Sequence, residues 1–249
     1  MRVRFLTASI ASFTLVFCAS SAVFADDTPK AITTAEEFIT YATDGSDDVV
    51  KLSNSITICQ DVTITKKFDL DLNGYQVSLG EFFITADDDF IVRDTSADKN
   101  GVITNTKYFP VQIGSDTNHD ATFTLESGKI SGERYGIENH GAITINGGAI
   151  EAYSYAIWGD GSIVMNGGKV TSDDVPTISI TGANASLLLE DGEIVSEGED
   201  QAVNLSNGAS MVMNGGLISA AKPTGVGISA YRDTDTTING GTIIAYEQV

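Results

Sequence analysis

The chain repeats a six-residue phrase of the form apolar–Asn–Gly–Gly–x–apolar, with some substitutions, at nearly constant spacing. Copies begin at Leu72, Leu125, Ile145, Met165, Leu189, Met213 and Ile238. From Gly128 onward the aligned glycine lies at positions 128, 148, 168, 192, 216 and 241, so the intervals are 20, 20, 24, 24 and 25 residues. Such a period is typical of a solenoid, in which every repeat forms one coil stacked on the next.

Each phrase follows a short segment that alternates apolar and polar residues, as a half-buried strand does. The aligned glycine is expected to turn the chain with a positive φ, and the flanking aliphatic residues are expected to stack on the neighbouring coil. Asparagines at one corner of successive coils predict a stacked amide ladder. Glu126 and Glu190 replace asparagine in two copies, so we expect the ladder to be interrupted there.

The N-terminal region differs from the repeats. Residues 1–25 have the form of a secretory signal, with an apolar stretch after Arg2 and Arg4. Residues 26–44 read as a tail and one short helix, because Thr34 and Glu37 match a capping box. We expect this helix to cover the first coil of the solenoid, which spans residues 45–249.

The composition is strongly acidic, with 34 Asp and Glu against 14 Lys and Arg. Such a surface repels phosphate backbones and argues against nucleic-acid binding. Outside the predicted signal no segment approaches the ~20 apolar residues of a membrane span. Cys59 is the cysteine left after removal of the signal, so no intrachain disulfide is expected, and its strand-like surroundings predict a buried side chain.

The tandem Ile-Asn-Gly-Gly-x-Ile phrases, together with Leu70–Gly74 and Asn100–Ile103, resemble those of secreted bacterial right-handed parallel β-helix proteins of the pectate-lyase-like fold group. The resemblance implies three parallel sheets and a surface or adhesin-like protein. The predicted fold is therefore all-β: a right-handed parallel β-helix of about eight coils of 20–25 residues with a short N-terminal capping helix.

Enzymes of this fold group cleave acidic polysaccharides and require constellations that the chain lacks. A lyase would need an aspartate cluster with a basic residue, but Arg93, Arg134 and Arg232 lie in no repeated aspartate cluster. A hydrolase would need further elements beside His140 and Asp173-Asp174, so His140 is interpreted as a turn residue. We predict no catalytic residues.

Two loops carry oxygen side chains at alternate positions, as calcium loops do. These candidate ligands are Asp94, Ser96, Asp98, Asn100, Asp116, Asn118 and Asp120. Neither loop continues to a glutamate at the twelfth position. Asp and Asn are also common turn formers, so the alternatives are a calcium site or a protein without a cofactor.

Aromatic residues gather around the single tryptophan. Alternation places Ile157 inward and Trp158 outward, and Tyr135 and Tyr155 are 20 residues apart, which predicts that they stack on adjacent coils. The candidate ligand-binding residues are Tyr135, Tyr153, Tyr155, Trp158 and Asp160. An exposed aromatic beside a carboxylate suits a sugar ring, whereas packing under a loop is the alternative.

The sequence therefore predicts a secreted or cell-surface binding and scaffold protein that is not an enzyme, with a glycan or another surface protein as its partner. A polysaccharide lyase or glycoside hydrolase is the first alternative. The second is a subunit of an extracellular assembly, which would pair through the coil that ends at 243–249.

Overall fold

The computed structural model describes residues 29–45, 49–220 and 222–246, which form a parallel β-solenoid with one helix near its N-terminal end. The predicted all-β parallel solenoid is confirmed. The predicted signal at residues 1–25 lies outside the described residues. About nine coils are present rather than eight, because the first coil, beginning at Val49–Leu52, carries no copy of the phrase.

The strands of the described residues form three parallel sheets, named here in the order in which a coil visits them. Sheet 1 contains Lys30–Ile32, Val49–Leu52, Phe68–Asp71, Phe90–Arg93, Thr122–Leu125, Ala142–Ile145, Ser162–Met165, Ser186–Leu189, Ser210–Met213 and Asp235–Ile238. Sheet 2 contains Ile56–Thr57, Gln76–Ser78, Val102–Asn105, Lys129–Gly132, Ala149–Ala152, Lys169–Ser172, Glu193–Ser196, Leu217–Ala220 and Thr242–Ala245. Sheet 3 contains Val62–Ile64, Ile84–Ala86, Val111–Ile113, Ile137–Asn139, Ile157–Gly159, Ile178–Thr181, Gln201–Ser206 and Val226–Tyr231.

The core consists of columns of inward side chains that repeat from coil to coil. In sheet 1, Phe68 pairs in register with Phe90, and Phe90 with Phe123. The rings of Phe68 and Phe90 are stacked with their centroids 5.8 Å apart. Ile143 and Ile163 continue the column. Every member of the column is at most 1% exposed, so identical registers in all coils are needed to keep the core dry.

The helix Ala35–Asp44 lies at the N-terminal end of the solenoid, as the capping box predicts. Thr34 accepts a hydrogen bond from the Glu37 N–H at 3.2 Å, and the Glu37 carboxylate accepts one from the Thr34 N–H. Phe38 is fully buried, and its ring packs edge-to-face with that of Phe68 at a centroid distance of 5.3 Å. The helix therefore extends the phenylalanine column and covers the end of the core.

The turn from sheet 1 to sheet 2, called here the Asn-Gly corner, has the predicted glycine geometry. The aligned glycines from Gly128 to Gly241 all have positive φ. The residue before the aligned glycine is also glycine in four of these six corners, and serine or aspartate in the other two. Where it is glycine the space is tight, since a Cβ on Gly147 would lie 2.7 Å from the Glu126 carbonyl oxygen.

The predicted amide ladder exists as two short ladders. Asn166 Nδ2 donates to Asn146 Oδ1 at 2.9 Å, and Asn146 Nδ2 donates to Glu126 Oε1 at 3.1 Å. The second ladder repeats this order and contains Glu190, Asn214 and Asn239. Each glutamate therefore provides the terminal acceptor of a ladder, which the sequence interpretation had described only as an interruption.

The N-terminal coils form the same corner in another way, and here the alignment of the phrase at Leu72 with Leu125 is wrong. Leu70, by way of Val92, stacks in the column of Leu125. The corner at Leu72 is therefore two residues wider than the later ones. Asp94 is buried beside it, and its carboxylate accepts hydrogen bonds from the N–H groups of Gly74, Ser96 and Gly101.

Two further sequence expectations concern the burial of Cys59 and membrane-spanning segments. Cys59 is exposed rather than buried, because the inward position of its segment is taken by Ile58. Among the residues that the structure describes, no helix has the length and apolar character to cross a membrane.

Candidate functional site

Three aromatic side chains, Tyr135, Tyr155 and Trp158, lie together and are called here the aromatic patch. The rings of Tyr135 and Tyr155 are stacked, with centroids 6.1 Å apart and planes 22° from parallel. The ring of Trp158 lies 6.3 Å from that of Tyr135. All three side chains are half-buried, so one side of the group packs on the protein and the other meets solvent.

The coil repeat explains how the patch forms. Tyr135 and Tyr155 occupy equivalent positions before two successive strands of sheet 3, as their spacing of 20 residues predicts. Trp158 lies in Ile157–Gly159, where Ile157 is fully buried, so the tryptophan faces outward as predicted. Its neighbour on the preceding coil is Glu138, which points the same way.

Charged groups border the patch at its tyrosine end. The exposed Arg134 guanidinium lies 4.9 Å from the centroid of the Tyr135 ring, a cation–π contact. Burial raises the pKa of the Tyr155 hydroxyl, and the nearby Asp200 carboxylate adds to the effect. Tyr155 is therefore a neutral hydrogen-bond donor at neutral pH.

Trp158 carries an unsatisfied donor. Its Nε1 atom is buried and has no hydrogen-bond partner within the described structure. Such a group costs free energy until an acceptor reaches it. The tryptophan thus combines an apolar ring face, suited to stacking, with a donor that lacks an acceptor.

A second group of side chains lies at the turn from sheet 3 to sheet 1, next to Trp158, and is called here the histidine corner. His140 Nδ1 lies 2.8 Å from Asp160 Oδ1 and 3.7 Å from Asp116 Oδ1, and Nε2 lies 3.4 Å from Glu138 Oε1. His119 Nδ1 is 2.6 Å from the His140 carbonyl oxygen. The corner therefore joins groups from three successive coils around one imidazole.

The electrostatics of the histidine corner are dominated by its carboxylates. Burial raises the pKa of Glu138, and the neighbouring His140 only partly offsets this. Asp160 and Asp116 are more accessible, with 41% and 92% of their side chains exposed. The accessible part of the corner is therefore acidic.

A cleft of about 360 Å³ opens at the histidine corner. Gly141, Gly161 and Gly182 line it in successive coils. Glycine is needed at the first two because a Cβ on Gly141 or Gly161 would lie 2.2 Å from a carbonyl oxygen of the preceding coil. His119 and Asp160 stand at its edge. A cleft with a few converging polar groups is the usual form of a small ligand site.

The structure places the predicted ligand-binding residues in three locations. Tyr135, Tyr155 and Trp158 form the aromatic patch, whereas Asp160 belongs to the adjoining histidine corner. Tyr153 is 56% exposed and lies apart, beside a cleft on sheet 2. Sequence reasoning missed Glu138, although its position 20 residues before Trp158 could have identified it as the lateral neighbour of that ring.

Asp94 in the first candidate calcium loop has a structural role. Its carboxylate accepts three hydrogen bonds from backbone N–H groups, which occupy both oxygens. Ser96 caps the same turn by accepting from the Lys99 N–H, while Asp98 and Asn100 are exposed.

In the second loop Asn118 Oδ1 accepts from the Asp120 N–H, and Asp116 extends toward His140. Within residues 29–45, 49–220 and 222–246, no group of three or more His, Cys, Asp or Glu side chains is arranged to hold a metal ion. Calcium binding stays a prediction for both loops.

Comparison with known proteins finds no matching family model, no matching curated protein and no matching solved structure. The structure shows a parallel β-solenoid, and membership of the pectate-lyase-like group stays a prediction. The chemistry of the chain has to be inferred from its own residues.

Proposed function

We propose that the chain is a secreted or cell-surface binding protein that holds a glycan on the aromatic patch and does not cleave it. The carrying observation is the arrangement of Tyr135, Tyr155 and Trp158, which presents aromatic faces from two adjacent coils at one surface. Aromatic rings bind the apolar face of a sugar, and hydroxyl and indole N–H groups nearby bind its oxygens. The rigid sheet beneath keeps the rings in position before the ligand arrives, which lowers the entropic cost of binding.

The solenoid provides a long stable support for such a surface, because every coil is held by its neighbours. The proposed glycan site therefore uses outward-facing side chains that are not needed to stack one coil on the next.

The test is a glycan-array screen of the purified protein, followed by titration of the selected glycan. Trp158→Ala is expected to lower affinity about 30-fold or more, as removal of a central aromatic contact does. Tyr246→Ala removes a tyrosine that is 44% exposed in the last coil and serves as the control. Equal affinity of the Trp158→Ala variant and the unchanged protein would refute the proposal, provided both melt at similar temperatures.

The enzymatic alternative has its support in two carboxylates beside His140: Glu138 from the same coil and Asp160 from the next coil. Two carboxylates at a suitable separation are enough for glycoside hydrolysis. The bound glycan should be incubated with the protein and its reducing ends counted. The proposed binding role predicts no increase, and release of reducing ends that Glu138→Gln abolishes would establish the enzyme instead.

The assembly alternative has its support in the last coil, where Ile238, Ile243 and Ile244 are exposed. Sedimentation over a range of protein concentrations distinguishes it from a monomeric binding protein. Association that Ile243→Lys prevents would favour assembly.

A further inference from the structure

We propose that the ligand of this surface carries free amino groups, as a chain of deacetylated hexosamine units does, and that an ammonium group binds at the histidine corner. The inference rests on the proposed glycan-binding function and names the class of glycan. It follows from the charges beside the aromatic patch, which are unequal at its two ends.

The tryptophan end of the patch is acidic. Three carboxylates surround His140: Asp160 at 2.8 Å, Glu138 at 3.4 Å and Asp116 at 3.7 Å. The imidazole can carry one positive charge, and its side chain is only 12% exposed. Asp116 and Asp160 therefore present negative charge to a ligand that the buried imidazole cannot fully neutralise.

The spacing along the chain suits a single extended ligand. Asp160 directly follows the strand Ile157–Gly159 that holds Trp158, so two residues of extended backbone, about 7 Å, separate the two positions. A sugar that stacks on the tryptophan therefore places the next unit of its chain at the cleft. Asp160 lines the cleft and 41% of its side chain is exposed, so this unit can approach the carboxylate.

The other charged groups near the patch do not reverse this preference. Arg134 lies over the Tyr135 ring at the opposite end of the patch. The Asp200 carboxylate near Tyr155 offsets its positive charge there. His119 is exposed beside the cleft and adds at most one further positive charge. The net charge of −20 for the whole chain also repels polyanionic glycans over long range.

The experiment compares three oligosaccharides of equal length by calorimetric titration: glucosamine oligomers, their N-acetylated counterparts and galacturonate oligomers. Charge-assisted hydrogen bonds are stronger than neutral ones by roughly 1 kcal/mol, so we expect the glucosamine oligomers to bind about fivefold more tightly than the acetylated ones. The galacturonate oligomers should bind most weakly.

Variants separate the local site from the overall charge. Asp160→Asn should remove the preference for glucosamine while keeping affinity for the acetylated oligomer. Asp116→Asn, at a side chain that is 92% exposed and not needed for packing, should weaken the preference and serves as a second variant if Asp160→Asn destabilises the fold. Asp191→Asn changes an exposed acid on the opposite corner and should leave the preference intact.

The outcomes distinguish this inference from the proposed function. Equal binding of glucosamine and acetylated oligomers, both lost in Trp158→Ala, would overturn the inference and leave glycan binding standing. A loss of preference in Asp191→Asn as large as in Asp160→Asn would also overturn it, because the whole-protein field would then be the cause. Absence of binding to every glycan, in the oligomer titrations and on the array, would overturn both.

Discussion

The N-terminal coils and the later coils make the same corner with different chemistry. At the later coils, each neutral amide donates to the preceding coil in ladders such as Asn166 to Asn146 to Glu126. At the N-terminal coils, the buried carboxylates of Asp71 and Asp94 accept hydrogen bonds from the backbone of wider turns. The difference shows that a solenoid requires its backbone groups at the corner to be satisfied and tolerates several ways of doing so.

The largest expected difference between the two regions comes from Asp94→Ala. The substitution leaves three backbone N–H groups without an acceptor: that of Gly101, which is buried, and those of Gly74 and Ser96, which are partly buried. A buried unsatisfied group costs about 1–3 kcal/mol. We therefore expect the free energy of unfolding to fall by about 3 kcal/mol or more. The matched variant Asn146→Ala removes an exposed rung of the ladder and should cost only about 1 kcal/mol. Urea unfolding measures both, and equal costs would contradict the comparison.

Two carboxylates on one strand of the N-terminal coils, those of Asp71 and Asp69, should respond oppositely to acid. Burial alone would raise the pKa of Asp71, but hydrogen bonds from Thr95, Lys51 and Asn73 outweigh it and hold the pKa below 3.8. A depressed carboxyl pKa stabilises the fold at pH values above 3.8, and this contribution is lost as the pH falls through the folded-state value. Asp71→Asn should therefore lower the melting temperature at neutral pH and lose its effect in strong acid.

The pKa of Asp69 is shifted in the opposite direction, so its contribution to the acid response must be separated from that of Asp71. Burial raises its pKa above 3.8, although Arg93 lies 2.6 Å away and opposes the shift. Its ionised form therefore opposes folding at neutral pH, and protonation in acid relieves this cost. A variant with Asp69→Asn as background isolates the acid response of Asp71. An Asp71→Asn effect that is independent of pH would contradict the account.

The amide ladder is tested by Asn146→Asp. The new carboxylate would face Glu126, which now accepts from Asn146 at 3.1 Å, so two negative charges replace a hydrogen bond. We expect a loss of about 1 kcal/mol at neutral pH that disappears when the carboxylates are protonated. Thermal unfolding at both pH values measures it, with Asn146→Ala as the uncharged control. A loss that persists in acid would show that charge is not the cause.

The smallest expected effect concerns calcium. Because backbone N–H groups already occupy both oxygens of Asp94, we expect the melting temperature to stay unchanged when a chelator is added. Differential scanning calorimetry with and without chelator measures it. A lower melting temperature in the chelator, restored by added calcium, would instead establish a calcium site.

The later coils were predictable from the sequence because their corners repeat locally. The period places the glycines of the Asn-Gly corner, and the 20-residue spacing of Tyr135 and Tyr155 predicts their stacking. The earlier coils were less predictable. The Asp94 carboxylate accepts a hydrogen bond from the Gly74 N–H, 20 residues away, and no local pattern signals that contact. The phrase at Leu72 was therefore aligned two residues out of register with the later copies.

Only one part of the candidate site, the aromatic patch, could be predicted from the repeat. The aromatic patch follows from the repeat, because its members lie at equivalent or alternating positions. The histidine corner does not, since His140 meets Asp116 through an inserted loop and Asp160 through the next coil. Only the folded chain brings these groups together.

The most direct test of the glycan-binding account is residue-resolved amide hydrogen exchange with and without the glycan selected by the array. Bound glycan should slow exchange at Ile157–Gly159 and around the histidine corner, and leave the N-terminal coils at Phe68–Asp71 unchanged. Slower exchange confined to the N-terminal coils, or no change at Trp158 under saturating glycan, would contradict the account.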